Sequence, residues 1–136
     1  MEDKIILLIL SLFLTLGIVR VSAFIFHDSA NYSKESHRDS EAKTLTGILR
    51  RQTGFDWHHI HIGFILLCVA VPLLIVGFIS SPLVIIFGAG LSLVLDQLLP
   101  WLEWGNYFGN EMLMFSFLFH LIILEIILIF YVINFS

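Results

Sequence analysis

Charge is what this sequence has least of. Asp, Glu, Lys and Arg make up 13% of the 136 residues against 58% hydrophobic, too little polar surface to coat a soluble domain of this size. A single cysteine, Cys68, excludes an internal disulfide and is expected to be a small packing residue. With no further thiol, a copper(I) or iron–sulfur centre is disfavoured. There is also no phosphate-binding loop, no nucleophile elbow and no basic patch interleaved with aromatics, so no nucleic-acid partner is expected.

Long apolar runs stand in the place of charge. Four are each long enough to cross the ~30 Å hydrocarbon core as helix, at residues 5–26, about 58–79, 82–102 and 112–134. They predict an all-α fold: a polytopic membrane protein of four transmembrane helices forming one domain over residues 1–136, with the lipid bilayer as its first partner. The first run is expected to be a retained spanning helix, because Met1-Glu2-Asp3-Lys4 is not positively charged overall and apolar residues resume after Arg20. Pro72 is expected to kink the second helix. Ser80-Ser81-Pro82 reads as a tight hairpin that makes helices two and three antiparallel neighbours.

The one long polar stretch is the connection 28–56. Within it Leu45, Ile48 and Leu49 repeat at helical spacing beside Lys43, Arg50 and Arg51, after Ser40 as an N-cap. This predicts a short interfacial amphipathic helix on anionic headgroups; the other reading is a charged flexible linker. Five of the seven basic residues, Lys34, Arg38, Lys43, Arg50 and Arg51, lie in this connection. The positive-inside rule therefore predicts a cell-membrane protein with 28–56 cytoplasmic and both termini outside. Trp57, Trp101, Trp104 and Tyr107 all fall at the same membrane face, as an aromatic belt would.

That topology gathers polar residues at one face. Arg20 and His27 near the end of helix one, His58 and His61 at the start of helix two, and Asp96 near the end of helix three are expected to line one cavity. His58 and His61, three residues apart, share a helix face, whereas His59 points about 100° away from His58. Gly88, Ser92 and Asp96 form a stripe of small then polar residues, expected to aim Asp96 at helix two. Glu103 lies on the same side as Asp96, and Glu111 opens helix four at this level. His120 lies about 14 Å deeper. His120 and Glu125 are expected to be satisfied by hydrogen bonds between helices.

Charges inside a span cost a few kcal/mol each unless paired, so Arg20 and Asp96 must be held by something. One reading is a zinc or iron (Zn or Fe) centre on His58, His61, Asp96 and His27, with Glu111 as a further ligand. Nitrogen and carboxylate ligands suit both ions, and an open position would hold an acidified water able to hydrolyse an ester or amide at headgroup level. A second is an Arg20–Asp96 ion pair with histidine hydrogen bonds that fixes helix register in a non-catalytic accessory subunit. Such a chain would meet other membrane subunits, or form a homo-oligomer, through stretches such as Phe115-Ser116-Phe117-Leu118-Phe119. A third is a proton or ion pathway. Membrane desaturases and hydroxylases also cluster histidines at the cytoplasmic face, but they use several boxes where this chain has one box and six histidines in all. A haem would need two facing axial histidines within the bilayer, and only His120 lies deep.

His59-Ile60-His61-Ile62-Gly63 followed by Gly88-Ala89-Gly90-Leu91-Ser92-Leu93-Val94-Leu95-Asp96-Gln97 resembles a group of small prokaryotic integral membrane proteins. Their pattern is a histidine-rich entry to one helix, a glycine after it, and a Gly-x-Gly-Leu-x-Leu-x-x-Asp-Glu run in the next. The resemblance covers helices two and three and implies a linked His–Asp pair. Gln97 stands where that group often has glutamate.

Overall fold

Two glycines two residues apart on a helix face nearly opposite sides, and Gly88 and Gly90 use this to seat a neighbour on each. The computed structural model describes residues 2–26, 48–49, 52–53, 58–101 and 110–135; side chains at 2, 23–26, 99–101, 110–112 and 134–135 lie outside the description. Four helices carry the fold: α1 (Glu2–Phe26), α2 (His59–Ile75), α3 (Ser81–Trp101) and α4 (Asn110–Phe135). Helix α3 is the hub, packing against each of the other three, while α1 also touches α4.

A Cβ added at Gly63 of α2 would stand 2.8 Å from the Gly90 carbonyl oxygen and 2.9 Å from Val94 Cγ2. On the other side of α3, a Cβ at Gly88 would collide with Ser11 Oγ and lie 3.0 Å from the Leu8 carbonyl oxygen of α1. Lipid tails are as apolar as leucine, so burial alone does not drive helices together in a bilayer. Close backbone approach at small residues does.

Helices α1 and α3 run parallel and in register. Lys4 Nζ donates to Ser81 Oγ (2.6 Å) near their starts, and Arg20 Nε donates to Asp96 Oδ1 (2.7 Å) near their ends; the partners are 77 and 76 residues apart in sequence. A near-constant separation is what two parallel helices of equal rise require. The two latches are about 24 Å apart along the axis. Leu12, Leu16, Val19, Leu83, Val84 and Leu93, with Ile60 and Ala70 of α2, form the buried apolar core among the described residues.

The shortest helix departs most from expectation. Helix α2 ends at Ile75 and not at 79, because Gly77 adopts a left-handed φ of 84°. Its N–H donates to Leu74 O (3.0 Å), and the Phe78 N–H donates to Leu73 O (3.0 Å), a Schellman ending that glycine takes without a Cβ clash. Pro72 lies inside α2, which continues through it. Ser80 opens α3 rather than turning the chain: Leu83 N–H donates to Ser80 Oγ (3.4 Å) and Val84 N–H to Ser80 O (3.0 Å). Pro82 then falls in the first turn, where a missing N–H costs no helical bond.

Helices α1, α3 and α4 contain apolar windows of 20, 18 and 21 residues, long enough to cross a membrane; α2, with 17 residues, is shorter and equally apolar. The protein is thus an all-helical membrane protein. Of the expected interfacial helix, Ile48, Leu49, Gln52 and Thr53 are described and helical, and Thr53 Oγ1 donates to Leu49 O (2.8 Å). Leu45, Lys43, Arg50, Arg51 and the rest of that helix lie outside the described residues, as do Trp57, Trp104, Tyr107 and the Trp101 side chain.

Candidate functional site

Three helices meet at a buried polar cluster. The Asp96 side chain is 1% exposed and that of Arg20 14%, and Arg20 approaches Asp96 Oδ1 through both Nε and Nη2 at 2.7 Å. Ser116 of α4 donates its hydroxyl to the same oxygen at 2.7 Å. One carboxylate oxygen thus ties α1, α3 and α4 together, with charge-assisted bonds that are stronger than neutral ones.

One turn deeper the pattern repeats with a different acceptor. His120, fully buried, lies with Nδ1 2.7 Å from Ser116 O and Nε2 2.9 Å from Ser92 Oγ. A carbonyl can only accept, so Nδ1 carries the proton; in the neutral ring Nε2 then accepts from the Ser92 hydroxyl. Phe13 of α1 closes the side, its ring centroid 6.0 Å from that of His120 and tilted 57°. Asp96–Ser116 and Ser92–His120 are separated by 20 and 28 residues, the widening expected of antiparallel helices.

Asp96 therefore faces α1 and α4, not α2 as the stripe had suggested. Gly88 packs on α1, and Ser92 and Asp96 bond across to α4. The residue that reaches α2 is Gln97, about 100° further round, whose Oε1 accepts the Ile60 N–H at 2.9 Å. At the start of α2, His58 is the extended N-cap (φ −115°, ψ 159°) and donates its backbone N–H to His61 Nδ1 at 3.0 Å. His61 thereby caps its own helix, and the two imidazole centroids are 5.8 Å apart.

Other expected site residues divide between the described and the undescribed. His59 is half-buried at the first position of α2. Glu125 lies on the exposed side of α4, and among the described residues no hydrogen bond or ion pair reaches it. Cys68 is exposed, which corrects the expectation that it packs inside the bundle. His27 and Glu103 lie outside the described residues, and of Glu111 only the helical backbone is described. Among the described residues no group of three or more His, Cys, Asp or Glu is placed to hold a metal ion.

Four residues that make these contacts had no such part in the sequence reading. Ser116 was hidden in a phenylalanine-rich run, although it stands four residues before His120 and so on the same face. Gln97 had been noted as a missing carboxylate and is a cap for the first turn of α2. The Lys4–Ser81 bond joins residues whose parallel pairing shows only in three dimensions.

No protein-family model, curated protein or solved structure matches this chain.

Proposed function

We propose that this chain is a non-catalytic subunit of a membrane assembly, in which the Arg20–Asp96–Ser116–His120–Ser92 cluster fixes the placement of α1, α3 and α4. The observation that carries this reading is that polar atoms at the centre of the cluster already have partners within the protein. Asp96 Oδ1 already receives Arg20 and Ser116, and both His120 nitrogens have partners within the protein. A catalytic metal or general base instead keeps a position open to substrate or water. Among the described residues the polar chain also covers little more than a turn of α3, from Ser92 to Asp96, whereas a proton pathway needs a relay across the membrane. Helix α4 supplies the surface for assembly: Phe115, Phe117 and Leu118 are each more than 40% exposed beside the buried Ser116. In this reading the 28–56 connection is cytoplasmic and the segments before α1 and after α4 lie outside, since five of seven basic residues sit in that connection.

The rival reading, a zinc or iron centre, is favoured by one observation, the 5.8 Å spacing of the His58 and His61 rings. Its further ligands would include His27, Glu103 or Glu111, because Asp96 Oδ1 already receives Arg20 and Ser116. Metal content of protein purified without a histidine tag or chelator separates the two. The subunit reading expects almost no bound zinc or iron. Stoichiometric metal that disappears in His58→Ala and His61→Ala would overturn it.

A further inference from the structure

Helix α4 carries a carboxyl group in the middle of its apolar span, at Glu125, on the side turned away from the rest of the bundle. Ser116 and His120 mark the face that packs on α3, and Glu125 lies about 140–180° round the helix from them. The residues sharing its side, Phe115, Leu118, Ile122, Ile129 and Val132, are 41–58% exposed. With Glu125 they follow an alternating three- and four-residue spacing, the seam by which one helix packs along another, with a single polar residue at a seam position to fix register.

A lone carboxyl facing lipid at mid-span is costly and needs a hydrogen-bonding partner at the same depth. The described basic residues cannot provide one, since Lys4 is bonded to Ser81 and Arg20 to Asp96. We propose that α4 packs against α4 of a second copy of this chain, the two Glu125 carboxyls hydrogen-bonding to each other across a twofold axis along the membrane normal. Copies inserted in the same direction bring identical residues to identical depth, so symmetry alone aligns the two groups. A carboxyl group offers both a donor and an acceptor, so two identical groups are complementary to each other. This rests on the reading that the chain works by assembly, but on residues opposite the polar cluster.

The test is subunit counting by single-molecule photobleaching in phosphatidylcholine vesicles, with the dye on Ser136→Cys in a Cys68→Ser background. At dilutions where the unsubstituted seam bleaches in two steps, Glu125→Leu is expected to bleach in one, its dimer dissociation constant raised at least tenfold. Glu125→Gln, whose amide also donates and accepts, keeps the dimer, as does Phe130→Leu, which lies off the seam. Thermal unfolding of Glu125→Leu at high dilution matches that of the monomeric parent, because the exposed residue has no hydrogen bond or ion pair among the described residues. A parent chain that stays monomeric overturns the proposal, as does a Glu125→Leu dimer of parental strength. So does a chain that associates only with a synthetic transmembrane helix bearing a central lysine. None of these results touches the polar cluster, whereas bound metal would count against the subunit reading and leave the dimer standing.

Discussion

Asp96 is held by a cation from one helix and a hydroxyl from another, and this asymmetry decides what its loss does. Arg20→Leu takes the guanidinium away from a buried carboxylate, and Asp96→Leu takes the carboxylate away from a largely buried guanidinium. Each single change is expected to lower stability by ~3 kcal/mol or more. The double change should recover much of that loss, since a well-packed leucine pair needs neither charge. Unfolding in mixed micelles across the four-protein cycle measures it; a double variant no better than the worse single would contradict the pairing. The pair itself was legible in the sequence, because two opposite charges at similar depth in apolar helices have few alternatives. Its orientation was not. A stripe of small residues shows that a helix approaches but not which one, and the 100° between Asp96 and Gln97 separates α4 from α2.

Among the elements, α2 and α3 bring backbone close to backbone at the Gly63–Gly90 crossing. A methyl at Gly63 would press on the Gly90 carbonyl oxygen at 2.8 Å, where backbone must move. Gly63→Ala is therefore expected to destabilise by ~1–3 kcal/mol. Gly17→Ala is the matched control: it is exposed on α1 with nothing within 4 Å of the added carbon, so stability should hold or rise by up to ~1 kcal/mol. Equal losses at the two positions would mean that the crossing is looser than described. Existence of all four helices was legible from apolar length alone. Their ends were less so: Ile75 gives way to Val76-Gly77-Phe78-Ile79, as apolar as the helix before it, and only the left-handed Gly77 stops α2.

For the whole molecule, the parallel α1 and α3 end on the same side, the one from which the 28–56 connection leaves α1. Cysteines introduced at Ser40 and at Ser136, in a Cys68→Ser background, are expected to react with a membrane-impermeant maleimide in intact cells at position 136 only. Labelling at position 40 from outside would invert the orientation. The parallel pairing of α1 with α3 was not legible, because it joins residues 76 and 77 apart through contacts that no local pattern encodes. What could be read was the similar depth of Arg20 and Asp96, a consequence of topology. Which neighbours each touches depends on helix rotation.

The Arg20–Asp96 bond also sets a timetable for the ribosome. Arg20 is synthesised 76 residues ahead of the only acid it is described as pairing with, so at about 5–20 residues per second it waits roughly 4–15 s for that acid to be made. During that interval Arg20 stands in α1 without Asp96, and α2 brings no acidic side chain among its residues His59–Ile75. The first helix is thus best retained beside the insertion machinery until the third arrives. Commitment of α1 to the lipid phase becomes an event of late translation, triggered by a residue made more than half a chain later.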